Sequence, residues 1–447
     1  MDIAERLVSN VVKTAYGDLP PEAVNKAKLN MLDTIGCLIA GAAAPGCDAV
    51  RDQVLDWGGK EESTIMIYGD KAPCPNAALV NSTMARAMDF DCVLMGGLHM
   101  GAAAVPTALA VAELKGGVTG RAFLAAILAG EDLAARVHKA TLHYDGFEPT
   151  GVCGVMGLAA MAGKLLGLDE NRLMDALGIA LNHAAGSFQP NIDGGLVVRV
   201  MEGFASKAGV ESAMLAKRGI TGRGNILQGV YGYFHLFSKD QYDGTILTEG
   251  LGEEYFGGTD TFVKKYPAGG ITASAIEMVI RLVTENDIRP EQVEEITVDC
   301  NTFCYNVGGQ PFQIRTDAQV DAQFSYAYTV ATAVVRRRFV LEDITPEAVA
   351  DPEVLDVAGK VKPRLDDHAR TVNIRLTDGR VFAGQMEAAR GSKQNPMDRE
   401  EIIGKFRSCV DFAGIRPLKD RTDQIIALID ELEKIGDMKK LIELLVV

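Results

Sequence analysis

Over the first ~260 residues, helical spacing of apolar positions coincides with a rich supply of alanine, glycine and methionine. Small side chains let helix axes approach closely, so these segments favour a compact helical core. Asp2 and Glu5 form a capping-box pattern ahead of Leu7, Val11 and Val12. Pro20 and Pro21 start a second helix, in which Met31, Ile35, Leu38 and Ile39 make one apolar stripe. Further helices are expected at Ala102–Leu114, Arg121–Val137, Cys153–Leu166, Glu170–His183 and Phe204–Lys217.

The texture changes near Tyr266-Pro267-Ala268-Gly269-Gly270. Glu294 to Cys300 alternates like a strand, as do Thr371–Leu376 and Arg380–Met386, and Thr377-Asp378-Gly379 joins the last two as a hairpin. A helix is expected from Asp321 to Arg337. Residues 268–390 therefore read as a smaller α+β domain. After Pro396, Asp398 and Glu401 cap another helix. The expected organisation is mainly α: a large all-helical domain from residues 1–267 and 391–447, with 268–390 inserted. A cleft between two such lobes is a favoured ligand site.

Within this frame Asp89-Phe90-Asp91, followed eight residues later by His99, stands in a run of mostly small and apolar residues from Ala77 to Ala112. Two carboxylates and an imidazole are costly among such neighbours unless they are paired or used. Carboxylates can orient a ring that exchanges a proton near neutral pH. A capped helix end beside a core histidine is the plainer alternative. Lys264, at the domain boundary, could hold a carboxylate as a point charge, or could be a solvated linker residue. The stretch Ala322 to Tyr328 offers aromatic hydroxyls as acid or oxyanion donor, or as core with a bonded hydroxyl. Glu148 stands in a turn before a Gly/Ala-rich helix, where an acid needs no function.

Several classes are excluded or disfavoured. A net charge of −15 argues against nucleic-acid binding and against long-range capture of anions. The most apolar stretch, Gly101–Ala112, is short and holds Pro106, so no membrane span is expected. Met1 to Glu5 lacks the pattern of a signal peptide. Eight scattered cysteines, with only Cys300 and Cys304 close together, fit reduced thiols in a cytoplasm better than a zinc site. Gly96-Gly97 and Gly194-Gly195 lack the dinucleotide fingerprint, and Gly186-Ser187-Phe188 only superficially matches a hydrolase elbow.

Taken together, the chain resembles the MmgE/PrpD family, which includes 2-methylcitrate dehydratase, cis-aconitate decarboxylase and iminodisuccinate epimerase. The similar stretches are Met31-Leu32-Asp33-Thr34-Ile35-Gly36, the Asp89–His99 block, Gly146–Leu166, Lys264–Pro267, Asp321–Tyr328, and Asn395-Pro396 with Lys405-Phe406. The resemblance implies a homodimer, no metal or organic cofactor, and a small carboxylate substrate in the interdomain cleft. It carries acid/base function to Asp89, His99, Lys264 and Tyr328, and places Asp91 in the same block. The roles expected are His99 as proton donor or acceptor, Asp89 as its orienting partner, Lys264 on a substrate carboxylate and Tyr328 as proton carrier. The reaction implied is proton transfer beside a carboxylate, then loss of water or CO2, or reprotonation as in an epimerase. A non-catalytic binding paralogue is the alternative of another class. Replacing His99 by Ala or Tyr328 by Phe is expected to cut turnover roughly 10²-fold or more.

The chain departs from the family pattern around this site. Asp91-Cys92-Val93 stands for Asp-Asp-Thr, Met95 and Gly96 for a histidine and a proline, and Met100-Gly101 for Pro-Ser. Glu148 replaces the histidine of G-[WF]-H-P-T-G, Val198 a lysine, and Met201 a histidine, while Arg199 can restore one anion contact. A carboxylate facing a substrate carboxylate is repulsive, so a tricarboxylate fits less well than a dicarboxylate. Glu148 could instead pair with an amine or hydroxyl, or serve as a second base.

Overall fold

A computed structural model describes residues 2–94 and 96–447. The fold is mainly α. The expected capping box forms at Asp2 and Glu5 and starts the helix Ile3–Lys13. In the helix Pro21–Gly41 every residue from Asn30 to Gly41 is buried, so burial goes beyond the single apolar stripe. The helices Met100–Lys115, Gly120–Ala140, Val155–Leu165, Glu170–Leu181 and Met201–Lys217 occupy the expected stretches. Glycine permits the closest crossing among them. A Cβ on Gly130 would lie 2.7 Å from the carbonyl oxygen of Gly157, and one on Gly157 would lie 2.4 Å from that of Gly130. Either alanine would push the two helices apart.

The smaller lobe holds a four-stranded sheet in the order Val361–Leu365, Val293–Cys300, Thr371–Leu376, Val381–Gln385. The last two pair as an antiparallel hairpin, with Gly379 at φ 88° in its turn. Val361–Leu365, which no sequence signal announced, runs parallel to Val293–Cys300 at the sheet edge. Pro363 is tolerated there because an edge strand has one side without ladder bonds. The helix expected over 321–337 is broken: Ala318–Gln323 ends, and Ser325 caps a new helix, Tyr326–Arg336, by accepting from the Tyr328 N–H.

The chain's two crossings between lobes meet. Val263 N–H donates to the Gly391 carbonyl at 3.0 Å. Beyond that point Asp398 and Glu401 cap the helix Arg399–Ala413 with the expected box, and this helix packs against Pro21–Gly41. We propose the lobe boundaries at 267/268 and 390/391. Among the described residues no helix is long and apolar enough to cross a membrane.

Candidate active site

The helix Cys74–Arg86 delivers the site. Past its end Asp89 adopts φ 47°, a left-handed turn that aspartate tolerates better than most residues. The short strand Val93–Leu94 then pairs antiparallel with Thr261–Phe262. That pairing sets Lys264, two residues past the partner strand, beside Asp89. Lys264 Nζ donates to the Asp89 carboxylate at 2.7 Å and to its carbonyl at 3.0 Å. It is buried, so it is no solvated linker residue. Two of its three N–H donors are used, which leaves one for a ligand.

Asp89 is also held by Arg86, whose Nη1 donates to the same oxygen, Oδ1. Arg86 Nε reaches the other way, to Glu202 Oε1 at 3.1 Å. Glu202 opens the helix Met201–Lys217, and Gly203 lets that helix close on Cys74–Arg86. A Cβ there would lie 2.6 Å from the Leu79 carbonyl oxygen and from Thr83 Oγ1.

His99 precedes the helix Met100–Lys115, and its backbone N–H donates to Thr150 Oγ1 at 2.9 Å. Its ring is oriented by Asp91, through Nδ1···Oδ2 at 2.8 Å. This corrects the role expected for Asp89: the residue that steers the imidazole is Asp91, while Asp89 neutralises Arg86 and Lys264. The left-handed turn at Asp89 separates the two carboxylates. With a carboxylate on Nδ1, that nitrogen is assigned the proton and Nε2 keeps its lone pair.

The electrostatics divide the groups. Burial pushes the His99 imidazolium down, Arg86 and Lys264 push it the same way, and Asp91 only partly opposes, so its pKa falls to about 4. Burial acts to raise Asp91, but His99, Arg86 and Lys264 outweigh it and hold the carboxyl down at about 2. Glu202 goes the other way: burial pushes it well above the usual carboxylate range, and Glu148 and Asp91 add to the rise against Arg86. Burial thus acts on the two in opposite senses, favouring the neutral imidazole at His99 and pushing the Glu202 carboxyl toward its protonated form. Environments that drive two pKa values apart mark the assignments of base and acid.

Among the described residues three buried carboxylate oxygens of this cluster have no hydrogen-bond partner: Asp89 Oδ2, Asp91 Oδ1 and Glu202 Oε2. Asp89, Asp91 and His99 each offer a ligand atom within 4.8 Å of the others, the spacing of a metal triad. The donor set fits a divalent cation poorly, because Asp89 already carries two fixed positive charges, Arg86 and Lys264.

The remaining expected residues lie at varied remove. Glu148 is buried, and its Oε2 accepts the Gly151 N–H at the start of the π-helical turn Thr150–Gly154. Burial raises its pKa, and its charge is felt by Arg86. Arg199 is buried and ties segments together: it donates to the Pro45 carbonyl at 2.6 Å and to Gln319 Oε1 at 2.6 Å, while its Nε has no partner. The structure does not join Tyr328 to the His99 cluster. Its hydroxyl donates to the Asp343 carbonyl, with that of Ala348 at 3.3 Å, and its ring packs against Phe312 and Phe339. Met95 lies outside the described residues.

Sequence reasoning missed Arg86 and Glu202. Arg86 carried the same signal as Asp89, a charge inside the apolar run, but Glu202 had none, since its partner is 116 residues away. A cavity of about 570 Å³ opens behind the Asp89–Asp91 segment, lined by Phe90, Lys265, Arg338, Leu341, Met397 and Lys405. Lys405 closes its floor: it donates to the Phe90 carbonyl at 2.6 Å, lies 3.8 Å over the Phe90 ring and pairs with the buried Asp33 at 2.6 Å.

Comparison with known proteins gives this geometry a context. Residues 5–244 match the MmgE/PrpD N-terminal domain, and residues 266–431 match the MmgE/PrpD C-terminal domain. A cis-aconitate decarboxylase of Aspergillus terreus is 27% identical, over 96% of this chain and 93% of its own. The cis-aconitate decarboxylase of Mus musculus is 25% identical, over 94% and 89%, and that of Homo sapiens is 23% identical, over 99% and 94%. Matched by both of its domains, the chain belongs to the MmgE/PrpD family.

Proposed function

We propose that this protein is a lyase that needs no cofactor and acts on a small carboxylate, a dicarboxylate in preference to a tricarboxylate. It transfers a proton at the carbon beside a carboxylate, with loss of water or of CO2. The cis-aconitate decarboxylases among its relatives support the lyase class. The observation that carries the reading is the buried His99–Asp91 pair, with Nε2 unengaged and neutral above about pH 4. His99 is the proton acceptor and Asp91 its orienting partner. Lys264 offers its remaining N–H to a substrate carboxylate, and Arg199 supports it from farther out. A carbanion next to a carboxylate needs such fixed donors. Glu148 disfavours a third carboxylate on the ligand. Pairing of two copies belongs to the same reading, with Ile220, Val230, Tyr231 and Leu236 as exposed apolar side chains available to it.

The test is proton exchange. Hydroxy-, unsaturated and amino-dicarboxylates, with citrate analogues for comparison, are incubated in D2O and their C–H signals followed by NMR. Alkene formation or CO2 release is expected with a dicarboxylate, and His99→Ala should lower the rate roughly 10²-fold or more. Exchange without net product would replace the lyase with an epimerase, which two protonable groups in one site also suit. Equal rates in wild type and His99→Ala would remove His99 from the mechanism.

A further inference from the structure

Glu202 is the one carboxyl group of the cluster for which the mechanism above has no use. It is 1% exposed, and only one of its oxygens is occupied, Oε1 by Arg86 Nε at 3.1 Å. Oε2 is buried with no donor among the described residues. Ionised, that oxygen would hold negative charge with neither water nor a hydrogen bond to stabilise it, beside the carboxylates of Asp91 and Glu148. The charged groups facing it are Arg86, Glu148 and Asp91, and Arg86 already shares its single charge with Asp89. A proton on Oε2 relieves the conflict, in keeping with the upward push on this group. The resulting O–H then needs an acceptor. Glu148 Oε2 already takes the Gly151 N–H, and no hydrogen bond joins Glu148 to Glu202 among the described residues.

We propose that Glu202 is a second catalytic residue of this site, an acid whose Oε2 proton goes to the substrate. This rests on the lyase reading above. In loss of water, the His99 Nε2 lone pair takes the C–H proton and the C–H electron pair becomes the new C=C bond. The C–O bond breaks with its pair on oxygen, and Glu202 protonates that oxygen so that water leaves. Imidazolium and carboxylate are left, and one proton returns from His99 to Glu202 through solvent. In loss of CO2, the C–C bond breaks with its pair on the remaining carbon, and the Glu202 proton completes the new C–H bond. Glu202 then regains a proton from solvent. In both branches the same O–H is spent once per turnover.

The alternative is that Glu202 only anchors Arg86. Glu202→Gln separates the two, because the amide oxygen still accepts from Arg86 Nε while the group no longer ionises. In the full-length protein, Glu202→Gln is expected to lower kcat roughly 10²- to 10³-fold with KM changed less than about 3-fold. It should also abolish the alkaline limb of the kcat–pH profile, and Glu202→Asp should restore part of the rate together with that limb. With a substrate that loses water, His99-dependent C–H exchange in D2O should persist in Glu202→Gln while alkene formation stops. A Glu202→Gln enzyme within about 3-fold of wild-type kcat, with the alkaline limb intact, overturns the proposal and leaves the lyase reading standing. If Glu202→Gln does not fold, the wild-type profile decides: an alkaline limb in kcat is required, and a flat profile from about pH 6 to 9 overturns the role. A wild-type protein inert toward every carboxylate removes the lyase reading, and this role with it.

Discussion

Asp91→Asn and Asp89→Asn should fail in opposite ways, although the two residues are two positions apart. Asp91 is held at about 2 against an ordinary 3.8, the net of burial, which raises it, and of His99, Arg86 and Lys264, which lower it. That difference corresponds to about 2.5 kcal/mol in favour of the anion, with His99 the first of the groups that lower it. The same interaction grows when His99 takes a proton, because an ion–ion contact at 2.8 Å replaces an ion–neutral one. Removing it forfeits about 2 kcal/mol of transition-state stabilisation and weakens the tautomer preference, so kcat should fall about 30-fold or more with KM little changed. The acidic limb, set by His99 near pH 4, should move lower in Asp91→Asn, since Asp91 is the group that raises the imidazole. Asp89→Asn instead leaves Arg86 and Lys264 buried without their shared counter-charge. That should cost about 3–5 kcal/mol of stability, read as a lowered unfolding midpoint. Steady-state kinetics and thermal melts on both variants decide the matter. Asp91→Asn within about 3-fold of wild type, beside a stable but inactive Asp89→Asn, would return the orienting role to Asp89 and refute the geometry argued here.

Two further outcomes follow from buried groups outside the His99 cluster. Burial alone pushes Glu131 up from 4.5 to about 8, and its Oε2 has no partner. A raised folded-state pKa gives stability that is full below the unfolded value and lost as pH rises through about 8, so wild type should lose several kcal/mol between about pH 4.5 and 8. Glu131→Gln should flatten this dependence in urea unfolding, and an unchanged slope would show that Glu131 is not its source. Tyr328→Phe removes a buried hydroxyl from the Asp343 carbonyl and should cost about 1–2 kcal/mol of stability with kcat changed only a few-fold. A loss near 10²-fold in kcat with normal stability would bring Tyr328 back to the chemistry, as the family resemblance implies.

Local signals in the sequence translated well where the determinants are local. The capping boxes at Asp2 and Asp398 and the turn at Thr377-Asp378-Gly379 all fold as their spacing dictates. Each rests on contacts within about four residues, which a linear reading contains. Val361–Leu365 was invisible because Pro363 argues against a strand, and only its place at the edge, fixed by pairing with residues 65 positions earlier, makes it one. The break between Ala318–Gln323 and Tyr326–Arg336 turns on one serine side chain accepting a backbone N–H inside an otherwise helical run. In the site, charge within an apolar run exposed Asp89, Asp91 and His99, but the same rule does not say which carboxylate meets which nitrogen. That was decided by the positive φ of Asp89 and by the pairing of Val93–Leu94 with Thr261–Phe262. For Tyr328 the residues left acid or bonded core hydroxyl open and the resemblance chose the first, whereas its helix directs the hydroxyl to a carbonyl of its own lobe.

The departures from the family pattern are coupled in space, and this bears on what the site accepts. A Cβ on Gly186 would lie 2.7 Å from Met201 Cε and 3.0 Å from Glu148 Cβ, so the side chains at the two positions read above as departures from the family's histidines share one wall. Val198, at the position of a common lysine, is buried against Val307, Val320 and Phe324. Three groups able to carry positive charge have thus become one acid, one thioether and one apolar side chain. Glu202 stands next in the chain to Met201 and answers Arg86 from the same helix. Four carboxyl groups, Asp89, Asp91, Glu148 and Glu202, therefore surround two permanent cations, Arg86 and Lys264, and the balance is restored only if protons stay on some of them. At about 4 Å and an effective dielectric constant near 20, each further anionic group on a ligand meets roughly 4 kcal/mol of repulsion per ionised neighbour. A ligand with fewer carboxylates, or with a hydroxyl or ammonium that donates to Asp89 Oδ2 or Asp91 Oδ1, avoids that cost and satisfies acceptors the protein leaves open. On the proposed reading, the excess of acid that disfavours a tricarboxylate also pushes Glu202 toward its protonated form, so the ligand preference and the supply of a catalytic proton would share one electrostatic origin.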